Sequence, residues 1–135
     1  MRPRLALMVA ALAAAAGCFN GQTGPDAIAG RPFDLKAGAV STLPDGTRLG
    51  FERVQSDSRC PMDAVCVWAG DATISVTLNP MKGATESREM HTQPVGSQIS
   101  YANYTIALTA LVPYPRSSQE IPAAAYIATF VVSVR

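Results

Sequence analysis

One histidine and three cysteines are all the imidazole and thiol chemistry this chain of 135 residues carries. With His91 alone there is no H-E-x-x-H pair to hold zinc, and no G-x-S-x-G to raise a nucleophilic serine. A Ser-His-Asp set needs no fixed order along the chain, but no motif points to one. Paired carboxylates for glycoside hydrolysis need a cleft, and the acids here fall in turn-like stretches. Met62, Met81, Met90 and His91 are soft ligands whose irregular spacing makes a weak case for copper. Charge of one sign is also lacking. Eleven Lys and Arg oppose ten Asp and Glu, so no basic stripe exists for nucleic acid or for steering to anionic lipid. No apolar run reaches the roughly 20 residues of a bilayer span. After residue 17 no segment places apolar residues at helical spacing over three turns. The reading is of a non-enzyme with no cofactor.

The chain opens with a processing signal. Arg2 and Arg4 precede an apolar run from Leu5 to Ala16. Ala15-Ala16-Gly17-Cys18 then resembles the bacterial lipobox, with Ala15 where Leu is commonest. The resemblance implies cleavage after Gly17, a diacylglyceryl group on Cys18 and an N-acyl (palmitate-type) chain. Ala14-x-Ala16 also fits ordinary signal-peptidase cleavage, which would give a secreted protein instead. Lipidation of Cys18 leaves Cys60 and Cys66 as an even pair; without it one thiol is left over in an oxidising compartment. Phe19, not Asp, follows Cys18, which implies outer-membrane sorting, facing the periplasm, in a Gram-negative cell. Loss of residues 1–17 removes two arginines and no acid, moving the formal charge from +1 to −1. Residues 18–31 read as the lipidated Cys and a flexible tether, and 32–135 as one domain.

Within that domain strand signals recur at short spacing. Phe33 and Leu35 alternate with polar residues. Val40 to Leu43 leads into the turn Pro44-Asp45-Gly46, and Arg48 to Gln55 returns. The apolar phase slips between Phe51 and Val54, predicting a bulge near Glu52 or Arg53. Asp71 to Leu78 alternates cleanly, as do Tyr104 to Val112 and Tyr126 to Val134. Thr85 to Thr92 is polar on both faces apart from Met90, as an edge strand is. Ile99 to Tyr101 suggests a short strand, and Pro122 to Ala125 a helical turn. The pattern predicts an all-β fold, a single antiparallel β-sandwich of about seven strands, with a small closed barrel as the alternative.

Between Gln55 and Asp71 lie Asp57-Ser58-Arg59-Cys60-Pro61, Cys66 and Trp68-Ala69-Gly70. In an exported chain Cys60 and Cys66 read as a disulfide closing a seven-residue ring, stabilising by about 2–2.5 kcal/mol in the chain-entropy model. A C-x5-C metal site lacks the ligands to complete four. Trp68 is expected to pack over the disulfide or the sheet end, and Arg59 to pair with Asp57 or Asp63 or to bond loop carbonyls. Asp57, Asp63 and Asp71 would suit calcium if they converged. Tyr114, held between Pro113 and Pro115, is a stiff aromatic suited to recognition. The candidate binding residues are therefore Asp57, Arg59, Asp63, Trp68 and Tyr114.

These residues are similar to a motif of short, uncharacterised exported bacterial lipoproteins. In these an Asp-Gly hairpin precedes the cysteines and a Pro-Tyr-Pro follows a later strand. Asp45-Gly46 and Pro113-Tyr114-Pro115 stand in those places. The resemblance implies architecture and transfers no catalytic residue. The function expected is a non-catalytic binding or interaction module, lipid-anchored in the envelope, whose partner is an envelope protein or polymer. A calcium- or copper-binding protein and a hydrolase inhibitor are the alternatives.

Overall fold

A computed structural model describes residues 22–135. Cys18, the expected signal segment 1–17 and the first residues of the expected tether lie outside the described residues. Eight strands follow in order: β1 (Pro32–Lys36), β2 (Val40–Thr42), β3 (Arg48–Asp57), β4 (Ala72–Asn79), β5 (Glu86–His91), β6 (Gln98–Tyr101), β7 (Tyr104–Val112) and β8 (Ile127–Val134). They form two four-stranded antiparallel sheets, β2-β3-β4-β5 and β1-β8-β7-β6. The sheets do not close on each other, so the fold is a sandwich and not the barrel.

The alternation read from the sequence is what packs. Leu49, Phe51, Ile74, Val76 and Leu78 from one sheet meet Leu35, Ile106, Ala128, Phe130 and Val132 from the other, all buried. Phe51 meets Phe130 edge to face across the interface, ring centres 6.3 Å apart, which favours the quadrupoles of both rings. The apolar phase slip in β3 is a real bulge at Glu52, between the pairings Phe51–Val76 and Arg53–Ser75. A second irregularity follows between Val54 and Ser56. The Glu52 carboxylate accepts the Ser75 hydroxyl at 2.7 Å, so the buried serine is satisfied. β5 is an edge strand that buries Met90 and exposes Glu86, Ser87, Arg88 and Glu89.

Residues 22–31 differ from the expected tether. Thr23 bridges Val40 in parallel. The amides of Gly24, Ala27 and Gly30 donate to Val40, Thr42 and Val132, and Ala27 is buried. The segment covers the edge of β2. Backbone hydrogen bonds hold it, and these leave no apolar period in the sequence.

The connections segregate to two ends. Segments 43–47, 80–85 and 102–103 lie at one, with Arg135, whose amide donates to the Asn103 carbonyl. At the other lie 37–39, 58–71, 92–97 and 113–126. The last contains a single 3-10 turn, Ala123–Ala125, within the span anticipated for a helical turn.

Candidate functional site

The second end is where the motif residues gather. β3 ends at Asp57, and the chain then leaves the sheet in a loop closed at its neck. Ser58 donates both its amide (2.7 Å) and its hydroxyl (2.9 Å) to the Asp71 carbonyl. The Cys60 amide donates to the Ala69 carbonyl at 2.8 Å. Gly70 sits at φ +72°, and a Cβ there would collide with the Ser58 carbonyl oxygen, so the neck requires glycine. Beyond it Cys60 and Cys66 form the expected disulfide, with Cα atoms 5.9 Å apart.

Arg59 turns inward from this neck. Among the described residues it is the one charged residue that is buried. Its Nε and Nη2 donate to the two Asp57 carboxylate oxygens at 2.8 and 2.7 Å, a bidentate pair. Nη1 donates to the Leu111 carbonyl at 2.6 Å and Nη2 also to that of Pro113 at 2.9 Å. The guanidinium carbon lies 4.5 Å from the centre of the Tyr114 ring. The Tyr126 hydroxyl donates to Asp57 at 3.0 Å. Burial opposes ionisation of Asp57, but the Arg59 side chain and amide and the Tyr126 hydroxyl outweigh it and hold the carboxyl below its usual value. Burial, followed by the neighbouring Asp57 carboxylate, pushes the Tyr126 phenol up to about 12.

Above this clamp the two loops are sewn together. The Met62 amide donates to the Pro115 carbonyl at 3.0 Å, and the Ser117 amide to Asp63 Oδ1 at 2.8 Å. That amide holds the Asp63 carboxyl below its usual value. Asp71 works at the neck instead. Its carboxylate meets His91 Nδ1 at 2.7 Å and accepts the amides of Thr92 and Gln93, both at 3.1 Å. Burial opposes its ionisation, and these donors more than offset that.

Asp57, Asp63 and Asp71 therefore face three different partners rather than one ion, and no group of three or more acidic, His or Cys side chains converges among the described residues. Met62 lies in the loop, Met90 is buried beneath β5, and Met81 packs on Gly46 at the opposite end, so the copper set does not assemble either. The His91 ring contacts Asp71 and, through the same nitrogen, the Thr73 hydroxyl at 3.3 Å. Among the described residues no hydroxyl is hydrogen-bonded to its other nitrogen.

Of the five candidate binding residues, Asp57 and Arg59 are spent on each other and on carbonyls, and Asp63 holds a loop. Tyr114 is half-exposed above Arg59. Trp68 departs from the expected packing over the disulfide or the sheet end in being 71% exposed. Its loop neighbours Met62, Val65 and Val67 are exposed as well. With Val95, Val112 and Tyr114 these make seven of the ten large exposed apolar side chains among the described residues, gathered at one end. The sequence carries the signal for both valines: Val65 lies in a seven-residue ring that has no interior, and Val67 follows directly on its closing cysteine. Beside Tyr114, a cleft of about 160 Å³ lined by Arg59, Thr92 and Leu111 is small against the ~300–1,000 Å³ of small-molecule sites.

Comparison with protein-family models, with curated proteins and with solved structures finds no match to this chain.

Proposed function

We propose that this protein is a non-catalytic binding module of the bacterial envelope, anchored through a lipidated Cys18, and that it binds through the apolar tips of the 60–68 loop. One observation carries the reading: Met62, Val65, Val67 and Trp68 stand exposed on a loop that a disulfide, a glycine neck and a buried Arg59–Asp57 pair hold in one shape. Several large apolar side chains exposed on one loop mark an interaction site, and a loop fixed beforehand loses little entropy on binding. The polar residues beneath are absorbed in holding the loop, which is the division of labour of a recognition surface. The likeness to short exported lipoproteins supports the architecture and the compartment.

The test uses the mature, oxidised chain as bait for fractionated native envelope. Val67→Ser with Trp68→Ala serves as the control, since neither side chain supports the fold. Retention of an envelope component by the parent and its loss by the folded variant is the expected result. Equal retention by both, or none by either, removes the reading. A hydrolase inhibitor is a second reading favoured by the same rigid loop; inhibition of lysozymes or serine proteases at micromolar protein decides it.

A further inference from the structure

We infer that the partner of the 60–68 loop is the lipid bilayer itself, its apolar tips entering the headgroup–acyl boundary of the membrane that holds the anchor. This rests on the proposed lipidation of Cys18 and gives the proposed binding surface its occupant.

The described N-terminal segment runs alongside β2. Thr23 runs parallel to Val40, and Val40 pairs with Gly50, so Thr23 stands at the level of Gly50. Followed towards Arg31 the chain passes Thr42 and then Val132, away from the 58–71 loop. Followed back from Ala27 to Gln22 it runs towards the end where that loop lies. Gly50 and Asp57 pair with Thr77 and Ala72, five positions apart on β4, a rise of about 17 Å. Cys18 is five residues before Thr23, a covalent reach of up to about 17 Å. The anchor point can thus come level with the base of the loop, and the loop projects beyond that base. Gly50 lies two positions from the 43–47 end of β3, so reach alone admits both ends, and it is the direction in which residues 27 to 22 run that favours the end with the loop.

The shape and chemistry of the loop surface suit the same partner. Val65 and Val67 are 104% and 106% exposed, more than in an extended peptide, so they are projecting tips and line no groove. Tips of this kind suit a fluid that closes round them. Trp68 and Tyr114 flank them, the two residue types enriched at membrane–water interfaces. Several loop amides are already committed, those of Cys60, Met62 and Ala64 to the carbonyls of Ala69, Pro115 and Pro61, which lowers the cost of bringing the loop to the boundary. Nearby charges offset one another, Asp63 against Arg116 and Asp57 against Arg59, so the contact is apolar and insensitive to salt. Since a diacylglyceryl chain with an N-acyl chain already anchors, the loop's contribution is to orient the domain.

Trp68, the single tryptophan, is the probe. The lipidated mature protein is placed in vesicles of phosphatidylethanolamine and phosphatidylglycerol, with Cys18 modification read by mass spectrometry. Trp68 emission is expected to shift to the blue and to be quenched by a quencher carried on the lipid chains, equally at low and high salt. Val65→Ser with Val67→Ser keeps the probe and is expected to abolish both effects. In the unlipidated Cys18→Ser mature chain the same pair is expected to lower vesicle partition about tenfold. Unshifted, unquenched emission from the anchored parent overturns the proposal. So does quenching that the double variant leaves intact, because the anchor alone then brings Trp68 near. An unmodified Cys18 overturns it too. Capture of an envelope protein through the loop, with no Trp68 signal in vesicles, rejects the bilayer while leaving the binding-module reading standing.

Discussion

At one end of the sandwich the chain reverses through the tight connections 43–47, 80–85 and 102–103; at the other it passes through two long loops, 58–71 and 113–126. The turn at 43–47 is self-sufficient. Gly46, at φ +85°, donates to the Leu43 carbonyl, and Asp45 Oδ1 accepts the Thr47 amide at 2.9 Å. The long loops are not. Each is held by the other, through Arg59 on the Leu111 and Pro113 carbonyls, Met62 on Pro115 and Ser117 on Asp63. A turn built from neighbours fails locally when a residue is lost. Loops built from each other should fail together, and the largest effects should sit where they cross.

Arg59→Ala is the sharpest way to break the contrast. It strands the Asp57 carboxylate in a site where both side chains are at most 9% exposed. Breaking a buried ion pair costs about 3–5 kcal/mol, and denaturant unfolding should show a loss of that order. Amide exchange should rise in 58–71 and 113–126 together and stay unchanged at 43–47. The same pair sets the acid response. Folding holds the Asp57 carboxyl below 3.8, so the folded state binds fewer protons than the unfolded one near that pH. The stability this contributes is present above about pH 4 and fades as pH falls through the lowered value. Tyr126 carries the opposite sign: its neutral form is favoured up to about 12, so its contribution is lost between about pH 10 and that value. Asp57→Asn should flatten both limbs in a pH series of melting temperatures.

Next in size is the disulfide. Cys60→Ser with Cys66→Ser should cost about 2–2.5 kcal/mol. The sandwich should remain folded, since the Ser58–Asp71 and Cys60–Ala69 hydrogen bonds still close the neck. Exchange should quicken in 61–66 more than in 113–126. Equal quickening in both would mean that the disulfide, and not Arg59, joins the loops.

How much of this was readable beforehand follows the same contrast. The hairpin at Asp45-Gly46, the bulge at Glu52, the alternations of β4, β7 and β8 and the Cys60–Cys66 ring depend on residues near one another, and the sequence displays them. The partners available to Arg59 were legible as chemistry. Its position was not, because Leu111 lies 52 residues away and offers a carbonyl, which every residue has. Docking of residues 22–31 was invisible for the same reason. Packing of Trp68 over the disulfide or the sheet end is the ordinary expectation for a large aromatic, and it holds only where a surface is there to receive the ring.

Asp45→Ala is a smaller perturbation at the turn end. Removing one local acceptor from the Thr47 amide should cost about 1 kcal/mol, with exchange rising at 43–47 alone. Any change in 58–71 would show that the ends communicate through the core.

The smallest effect is expected at the most conspicuous residues. Val67 and Trp68 face solvent, so Val67→Ser with Trp68→Ala should move unfolding stability by no more than about 0.5 kcal/mol. The comparison needs that near-silence. If the tips contributed to stability as Arg59 does, their exposure would be a consequence of folding and no argument for binding. A pair whose removal costs the fold almost nothing, on a loop whose root is held by a buried ion pair, is exposed for a reason outside the fold. A measured loss above about 1.5 kcal/mol would instead place Trp68 against the protein in solution and remove the apolar surface on which the binding reading stands.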